Sequence, residues 1–271
     1  MKYTNCPPHE TALITGASSG IGKEMAVLFA AHGFDLVLTA RNRQRLEALA
    51  AQLRSAYHIK VLILPADLSD PSSAEKLYSA VHERGIVIDQ FVDNAGSGCR
   101  QEVSKADPKT MVDTINLNVS SVTLLAHYFA AEMVARGSGK ILITSSVSAF
   151  APDPYFAVYC ATKAYDLLFG KTLWAELRKT PVSVSILCPG PTKTNFSQNA
   201  GRKDAAFAAN PRAVALSAYQ GMQRGKFLII PSPLYKAAYV AARVLPTKLC
   251  LCFIERYQKG LAPEGVARTK G

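Results

Sequence analysis

The chain has 271 residues, 49% of them hydrophobic and 19% charged, which suits one α/β domain with at most an appendage and excludes a disordered chain. Its net charge of +11 is uneven: from Arg224 onward nine Lys/Arg stand against two Asp/Glu, while the preceding residues are close to balance. Such a basic end suits anionic lipid or acidic partners, and no nucleic-acid module signature accompanies it, so nucleic acid is not an expected partner.

In chain order, the apolar, partly β-branched run 11–15 predicts a first strand. It leads straight into Gly16-Ala17-Ser18-Ser19-Gly20-Ile21-Gly22 and then a helix with apolar positions at Met25, Val27, Leu28 and Phe29. Residues 35–39 and 61–64 read as the second and third strands, and 86–88 with 91–92 frame the fourth. The fifth, sixth and short seventh strands are expected at 140–144, 182–187 and 227–230. Between them, helical periodicity covers 42–57, 72–84, 111–136, 159–179 and 211–224. Pro71, Pro108 and Pro211 stand where a first helical turn tolerates a missing N–H. Strands alternating with helices predict a parallel sheet covered on both faces. After Pro231 and Pro233 the sequence changes character: 234–261 reads as amphipathic helix interrupted at Pro246, with Tyr235, Ala238, Tyr239, Ala242 and Leu245 on one stripe. The run 249–254 is almost wholly apolar.

Six cysteines, at 6, 99, 160, 188, 250 and 252, form no metal-ligand quartet, and Cys250-Leu251-Cys252 is too tight for a redox pair. Free thiols in a reducing compartment are expected, with no metal site. Residues 1–8 lack an apolar leader core, and no uninterrupted run reaches 18 apolar residues. A cytoplasmic location follows as the expectation.

Two local patterns carry chemistry. The glycine-rich turn between a strand and a helix lets the backbone approach a pyrophosphate, which the helix N-terminus attracts through its N–H groups and dipole. Tyr159 and Lys163, four residues apart on a predicted helix, share one face. An ammonium beside a phenol favours the phenolate, which makes the tyrosine a proton-transfer group for carbonyl and alcohol chemistry.

Together these patterns resemble the short-chain dehydrogenase/reductase superfamily in its single-domain form, over roughly residues 11–227. Thr15-Gly16-Ala17-Ser18-Ser19-Gly20-Ile21-Gly22 is similar to the family's cofactor loop, and Asp93-Asn94-Ala95-Gly96 to its Asn-Asn-Ala-Gly segment with Asp at the first place. Asn118 stands at the position of the family's catalytic asparagine, and Ser146, thirteen residues before Tyr159, at that of its serine. Pro189-Gly190-Pro191-Thr192-Lys193-Thr194 is similar to the segment that closes over the nicotinamide. The resemblance implies a Rossmann-like, doubly wound sheet of about seven strands. It implies a catalytic set of Asn118, Ser146, Tyr159 and Lys163, and a dinucleotide site of Gly16, Ser18, Ser19, Gly20, Ile21, Gly22, Asp67, Asn94, Gly96, Pro189, Gly190, Thr192 and Thr194, shared with Tyr159 and Lys163. Asp67 lies at the adenine edge and equally suits the cap of the next turn. The second strand exits as Thr39-Ala40-Arg41, without the acid that would receive a ribose 2′-hydroxyl. Arg41, assisted by Ser18, Arg43 and Arg45, suits a 2′-phosphate, so NADP(H) is the expected cofactor.

The expected reaction is NADP(H)-dependent reduction of a ketone or aldehyde. Residues 195–210, with Phe196 and Phe207, form the expected lid; Phe150, Pro152, Pro154, Tyr155 and Phe156 add an apolar wall. Few charges there favour a lipophilic carbonyl, and the basic, apolar C-terminal region resembles relatives with ties to lipid metabolism. A redox-sensing NADP(H)-binding protein is the competing class, and a nucleotide-sugar epimerase or dehydratase a third; the full tetrad and the length favour reduction. The chain is divided into an NADP-binding catalytic domain, 1–232, and a basic, amphipathic helical extension, 233–271. That extension is expected to pack over the active site or a subunit interface, with peripheral membrane contact as the alternative. A homodimer or homotetramer is expected.

Overall fold

The computed structural model describes residues 10–201, 205, 207–248, 250, 251 and 254. The strands are β1 Thr11–Thr15, β2 Asp35–Thr39, β3 Val61–Ile63, β4 Gln90–Asp93, β5 Gly139–Thr144, β6 Val182–Leu187 and β7 Leu228–Ile229. The helices are α1 Gly20–Ala31, α2 Arg43–Tyr57, α3 Ser73–His82, α4 Pro108–Ile115, α5 Ser121–Arg136, α6 Ala157–Leu177, α7 Asn195–Asn199, α8 Pro211–Gln223 and α9 Pro233–Val244. All pairings are parallel, in the order β3-β2-β1-β4-β5-β6-β7. This is the expected Rossmann-like, doubly wound arrangement.

Period-two alternation along β1 builds both faces at once. Ala12 and Ile14 point into a core with Met25 and Phe29 of α1, Leu46 of α2 and Ala218 of α8. Leu13, between them, joins a second core with Leu77 of α3 and Leu125 and Phe129 of α5. Phe29 meets Phe34 and Tyr219 edge-on at 5.0 Å each, which ties α1 to α8. Each such buried side chain contributes roughly 1.5–3 kcal/mol. The strand order reverses beside β1, because the chain builds β2 and β3 on one side and returns to β4 on the other. That reversal opens a crevice at the carboxyl ends of β1 and β4.

Several boundaries differ from the sequence reading. The fourth strand is Gln90–Asp93 alone. Residues 86–88 belong to its approach: Ile86 N–H still donates to Val81 O after the left-handed Gly85, and Val87 is exposed. The long helix expected over 111–136 is two α-helices joined by a π segment, Asn116–Ser120. Pro108 and Pro211 do open α4 and α8, capped by Asp107 and Asn210. Pro71 instead precedes the N-cap residue Ser72 of α3. The segment expected as a lid begins with α7. α9 stops at Leu245, whose extended conformation (φ −83°, ψ 145°) is what a following proline imposes. Among the described residues no helix is long and apolar enough to cross a membrane, and no cluster of three metal-ligating side chains occurs. The readings for residues 1–8, and for most of 249–261, lie outside the described residues.

Candidate active site

Thr15, at the end of β1, joins the glycine turn to the end of β4. Its hydroxyl donates to Asp93 Oδ1 (2.9 Å) and accepts from the N–H groups of Asn94 and Ala95 (2.8 Å each). Asn94 Nδ2 returns a bond to Thr15 O at 3.2 Å. Gly16 has φ +66°, the left-handed region that favours glycine, and a Cβ there would stand 3.0 Å from Asn94 and Ala95. Gly22 is packed still more closely: a Cβ would fall 2.4 Å from Gly16 O. The first turn of α1 carries no acidic side chain, so its N–H groups and dipole face the crevice uncompensated.

Arg41 follows β2 and is exposed, and Asn42 caps α2 by accepting from Arg45 N–H at 2.9 Å. Arg41 and Arg45 both line the crevice. Arg43, expected to assist, turns away and pairs with Glu47 at 3.7 Å, as its position on α2 dictates. Asp67 Oδ1 accepts from Ser69 N–H and Oγ (3.1 and 2.7 Å), capping its turn while also lining the crevice.

On the other side, α6 presents Tyr159 and Lys163. Tyr159 packs against Phe196 (5.2 Å between ring centroids) and Phe156 (6.1 Å), and Gly98 lies flat on its ring, where a Cβ would be 2.9 Å away. Lys163 is only 4% exposed, and its Nζ donates to Thr144 O (2.9 Å) and Asp166 Oδ2 (2.8 Å). Burial pushes this ammonium down, but Asp166, Tyr159 and Asp93 more than restore it, so its pKa stands above the usual lysine value. Ser146 follows β5 and caps a short 3-10 turn, its Oγ accepting from Ser148 N–H at 3.1 Å. Its neighbour Ser145 donates to Lys163 O at 2.7 Å, so its hydroxyl is engaged with α6, although Ser145, Ser146 and Ser148 all border the crevice. Burial also pushes the Cys188 thiol up to about 12, so it stays neutral.

Asn118 sits fully buried in the π segment, and π turns recur at functional sites. Its Oδ1 accepts from Ser97 N–H (3.0 Å), and its Nδ2 donates to Ser97 O and Thr162 Oγ1 (2.9 Å each). The side chain therefore clamps the loop after β4 to α6. Gly96 lies between, with Lys163 Nζ 3.4 Å and Asn118 Oδ1 3.5 Å from where its Cβ would be.

The segment after β6 closes the crevice. Pro189 O accepts from Val147 N–H (3.1 Å), and Thr192 Oγ1 donates to Gly190 O (2.9 Å). Thr194 caps α7 through Phe196 N–H at 3.2 Å, and its Cγ2 lies 2.8 Å from where a Cβ on Gly20 would stand. The ring that comes closest to Gly190 is Tyr235 of α9, 2.3 Å from its missing Cβ.

These segments enclose one cleft of about 1200 Å³, larger than the roughly 300–1,000 Å³ of a single small-ligand site. Of the sequence-predicted site residues, all but Gly22, Asn118 and the assisting Arg43 line it; Gly22 and Asn118 stand behind its wall. Phe196 and Phe150 face the cleft, whereas Phe207 is 56% exposed and Phe156 is buried beneath Tyr159. Sequence reasoning missed Asp166, although its place three residues after Lys163 on a helix puts the two on one face. It also missed Thr15 as the joint between the two loops, which no local pattern signals.

Comparison with known proteins agrees with this fold. The family described as short chain dehydrogenase matches residues 10–205. An uncharacterized short-chain type dehydrogenase/reductase from Sinorhizobium fredii is 36% identical over 73% of this chain and 76% of its own length. A short-chain dehydrogenase from Sphingobium yanoikuyae, solved in complex with NADPH, superposes with a TM-score of 0.79 at 32% identity, covering 97% of this chain and 99% of that one. A bulky-bulky ketone specific alcohol dehydrogenase from Comamonas testosteroni superposes with a TM-score of 0.76 at 28% identity, covering 99% and 98%. Against rat and mouse relatives the chain spans little more than half their length, 54–56%.

Proposed function

As the chain belongs to the short-chain dehydrogenase/reductase family, we propose that it is an NADP(H)-dependent oxidoreductase that reduces a bulky, lipophilic ketone or aldehyde to the alcohol. One observation carries the reading: Tyr159, Lys163 and Ser146 meet in the same cleft as the glycine turn, at the carboxyl edge of a parallel sheet. The cleft fits a dinucleotide, since its α1 end offers uncompensated N–H groups and its volume leaves space for a second molecule.

When bound, the dinucleotide supplies or accepts the hydride. Gly16, Ser18, Ser19, Gly20 and Ile21 hold its pyrophosphate, with Gly22 behind them allowing α1 to approach. Arg41 and Arg45 receive a 2′-phosphate, for which a guanidinium is well matched and which no acid at the end of β2 opposes. Asp67 takes the adenine edge, Asn94 and Gly96 the crossing at β4, and Pro189, Gly190, Thr192 and Thr194 the nicotinamide side. The solved relative with NADPH supports NADP over NAD. Tyr159 Oη gives its proton to the substrate carbonyl oxygen, and Ser146 Oγ orients that oxygen. Lys163 holds ribose hydroxyls and favours the phenolate. Asn118 acts by fixing the loop after β4 against α6.

Residues 1–232 form the catalytic unit in this reading, and 233–271 an extension whose α9 roofs the substrate end. Tyr235, Ala238, Ala241, Ala242 and Leu245 line the cleft there, and the ketone-specific relative supports a bulky substrate. A homodimer or homotetramer in the cytoplasm completes the proposal, with peripheral membrane contact through the extension as the alternative. A sensor with little turnover is the weaker reading, because the full tetrad is retained. Tyr159→Phe should abolish NADPH-dependent ketone reduction while leaving NADPH binding nearly unchanged. Near-wild-type turnover by that variant on a proven substrate would exclude the mechanism.

A further inference from the structure

Lys163 is held by a carboxylate on its own helix. Asp166 is completely buried and lies one turn along α6; its Oδ2 takes the Lys163 ammonium at 2.8 Å, and its Oδ1 is buried with no hydrogen-bond partner. Thr144 O takes a second N–H of the ammonium at 2.9 Å. An ammonium has three donors, so one remains for the cleft. From β4, Asp93 adds a second buried carboxyl whose Oδ2 is likewise without a partner. The other titratable groups that face the ammonium are Tyr159, from the same helix, and the neutral Cys188 thiol after β6.

We propose that Asp166 is a positioning residue for the reaction: it keeps Lys163 charged and aims the ammonium's remaining N–H at the ribose and at Tyr159. The physical reason is that an ammonium 4% exposed loses its hydration and, without a counter-ion at hydrogen-bond distance, sheds its proton. The residue that tunes the phenol would then be neutral and would no longer favour the phenolate. Asp93 acts only through space and, at neutral pH, only as a partly ionised group, because burial lifts its pKa to about 7. It does not replace a direct partner. The buried Asp166 carboxylate also weakens the ammonium's field at the phenol, so the pair trades some acidity of Tyr159 for a constant charge on Lys163.

This inference rests on the Tyr159–Lys163 reading above, and its test separates the two. The readout is the pH dependence of kcat/KM for alcohol oxidation by the full-length protein with NADP+. Wild type should rise to a plateau that extends to the alkaline end. Asp166→Asn should lose about tenfold or more in kcat/KM and show a new falling limb on the alkaline side, where wild type is flat, as Lys163 deprotonates within the assay range. Asp166→Glu, which keeps the charge, should restore the plateau. Should Asp166→Asn fail to fold, thermal unfolding of Asp166→Leu alone and combined with Lys163→Met replaces it, and the combined variant should recover most of the stability that Asp166→Leu loses. The proposal is overturned by an Asp166→Asn profile parallel to wild type, by a falling limb already present in wild type, or by a combined variant no more stable than Asp166→Leu. Failure of the catalytic reading itself would appear elsewhere, as activity retained in Tyr159→Phe.

Discussion

Asp93 closes β4 as a buried carboxyl, and at the residue scale its cost is electrostatic. It is 2% exposed, one oxygen holds the Thr15 hydroxyl and the other has no partner. Burial is the main cause that raises its pKa from 3.8 to about 7, against the pull of Thr15. Because the native state then binds the proton more tightly than the unfolded chain, ionisation works against folding. Nothing is lost below pH 3.8; the penalty grows as pH rises from there and is complete above about 7. Three pKa units correspond to as much as ~4 kcal/mol. Asp93→Asn should therefore be more stable than wild type at pH 8 by up to that amount and indistinguishable from it at pH 4, measured by urea unfolding. Equal stability of the two proteins at both pH values would mean that Asp93 ionises without penalty. The sequence shows the acid but not its consequence, since the groups that act on the buried charge come from β1 and α6.

Among elements, those read most accurately are the ones whose signals are local. β1, β2 and β6 match their expected ranges because apolar periodicity and turn residues delimit them within a few positions. The fourth strand was misplaced at its start because Ile86, Val87 and Ile88 are apolar without being paired. Hydropathy does not distinguish a helix-closing turn from a strand, and only the registry of Gln90 with Ala12 and Lys140 does. The π segment was invisible for a related reason: a single widened turn leaves the apolar period of a long helix nearly intact. α9 has two exposures. Tyr235, Ala238, Ala241, Ala242 and Leu245 border the cleft, while Leu234, Val240 and Val244 are strongly exposed. If α9 is the roof of the substrate end, Ala241→Phe should lower kcat/KM for a bulky ketone about tenfold or more while a small aldehyde is reduced nearly as before. Equal loss with both substrates, or none with either, would remove α9 from the substrate path.

For the whole molecule, cofactor binding should report as stability. A ligand that binds only the native state at 100 times its Kd stabilises by about 2.7 kcal/mol, which for a chain of this size raises Tm by roughly 5–10 °C. NADPH should produce that shift and NADH at the same concentration a clearly smaller one. Arg41→Ala should shrink the difference and Arg41→Ala with Arg45→Ala erase it, because these guanidinium groups discriminate only through the 2′-phosphate. A larger shift with NADH in wild type would reverse the cofactor assignment. The net charge of +11, concentrated after Arg224, bears on what the outside of α9 meets rather than on the fold. What the amino-acid order determined by itself is the chemistry that depends on neighbours along the backbone. A glycine turn between strand and helix, a phenol and an ammonium one turn apart, and a missing acid after the second strand need no distant partner to be recognised. Tertiary structure alone decided which residues stand behind the wall instead of lining it, as Gly22 and Asn118 do. It also decided that α9 covers the cleft and that Asp93, far from Lys163 in sequence, shares its buried surroundings. Burial and through-space charge depend on what the sheet brings together, and sequence spacing carries no record of either.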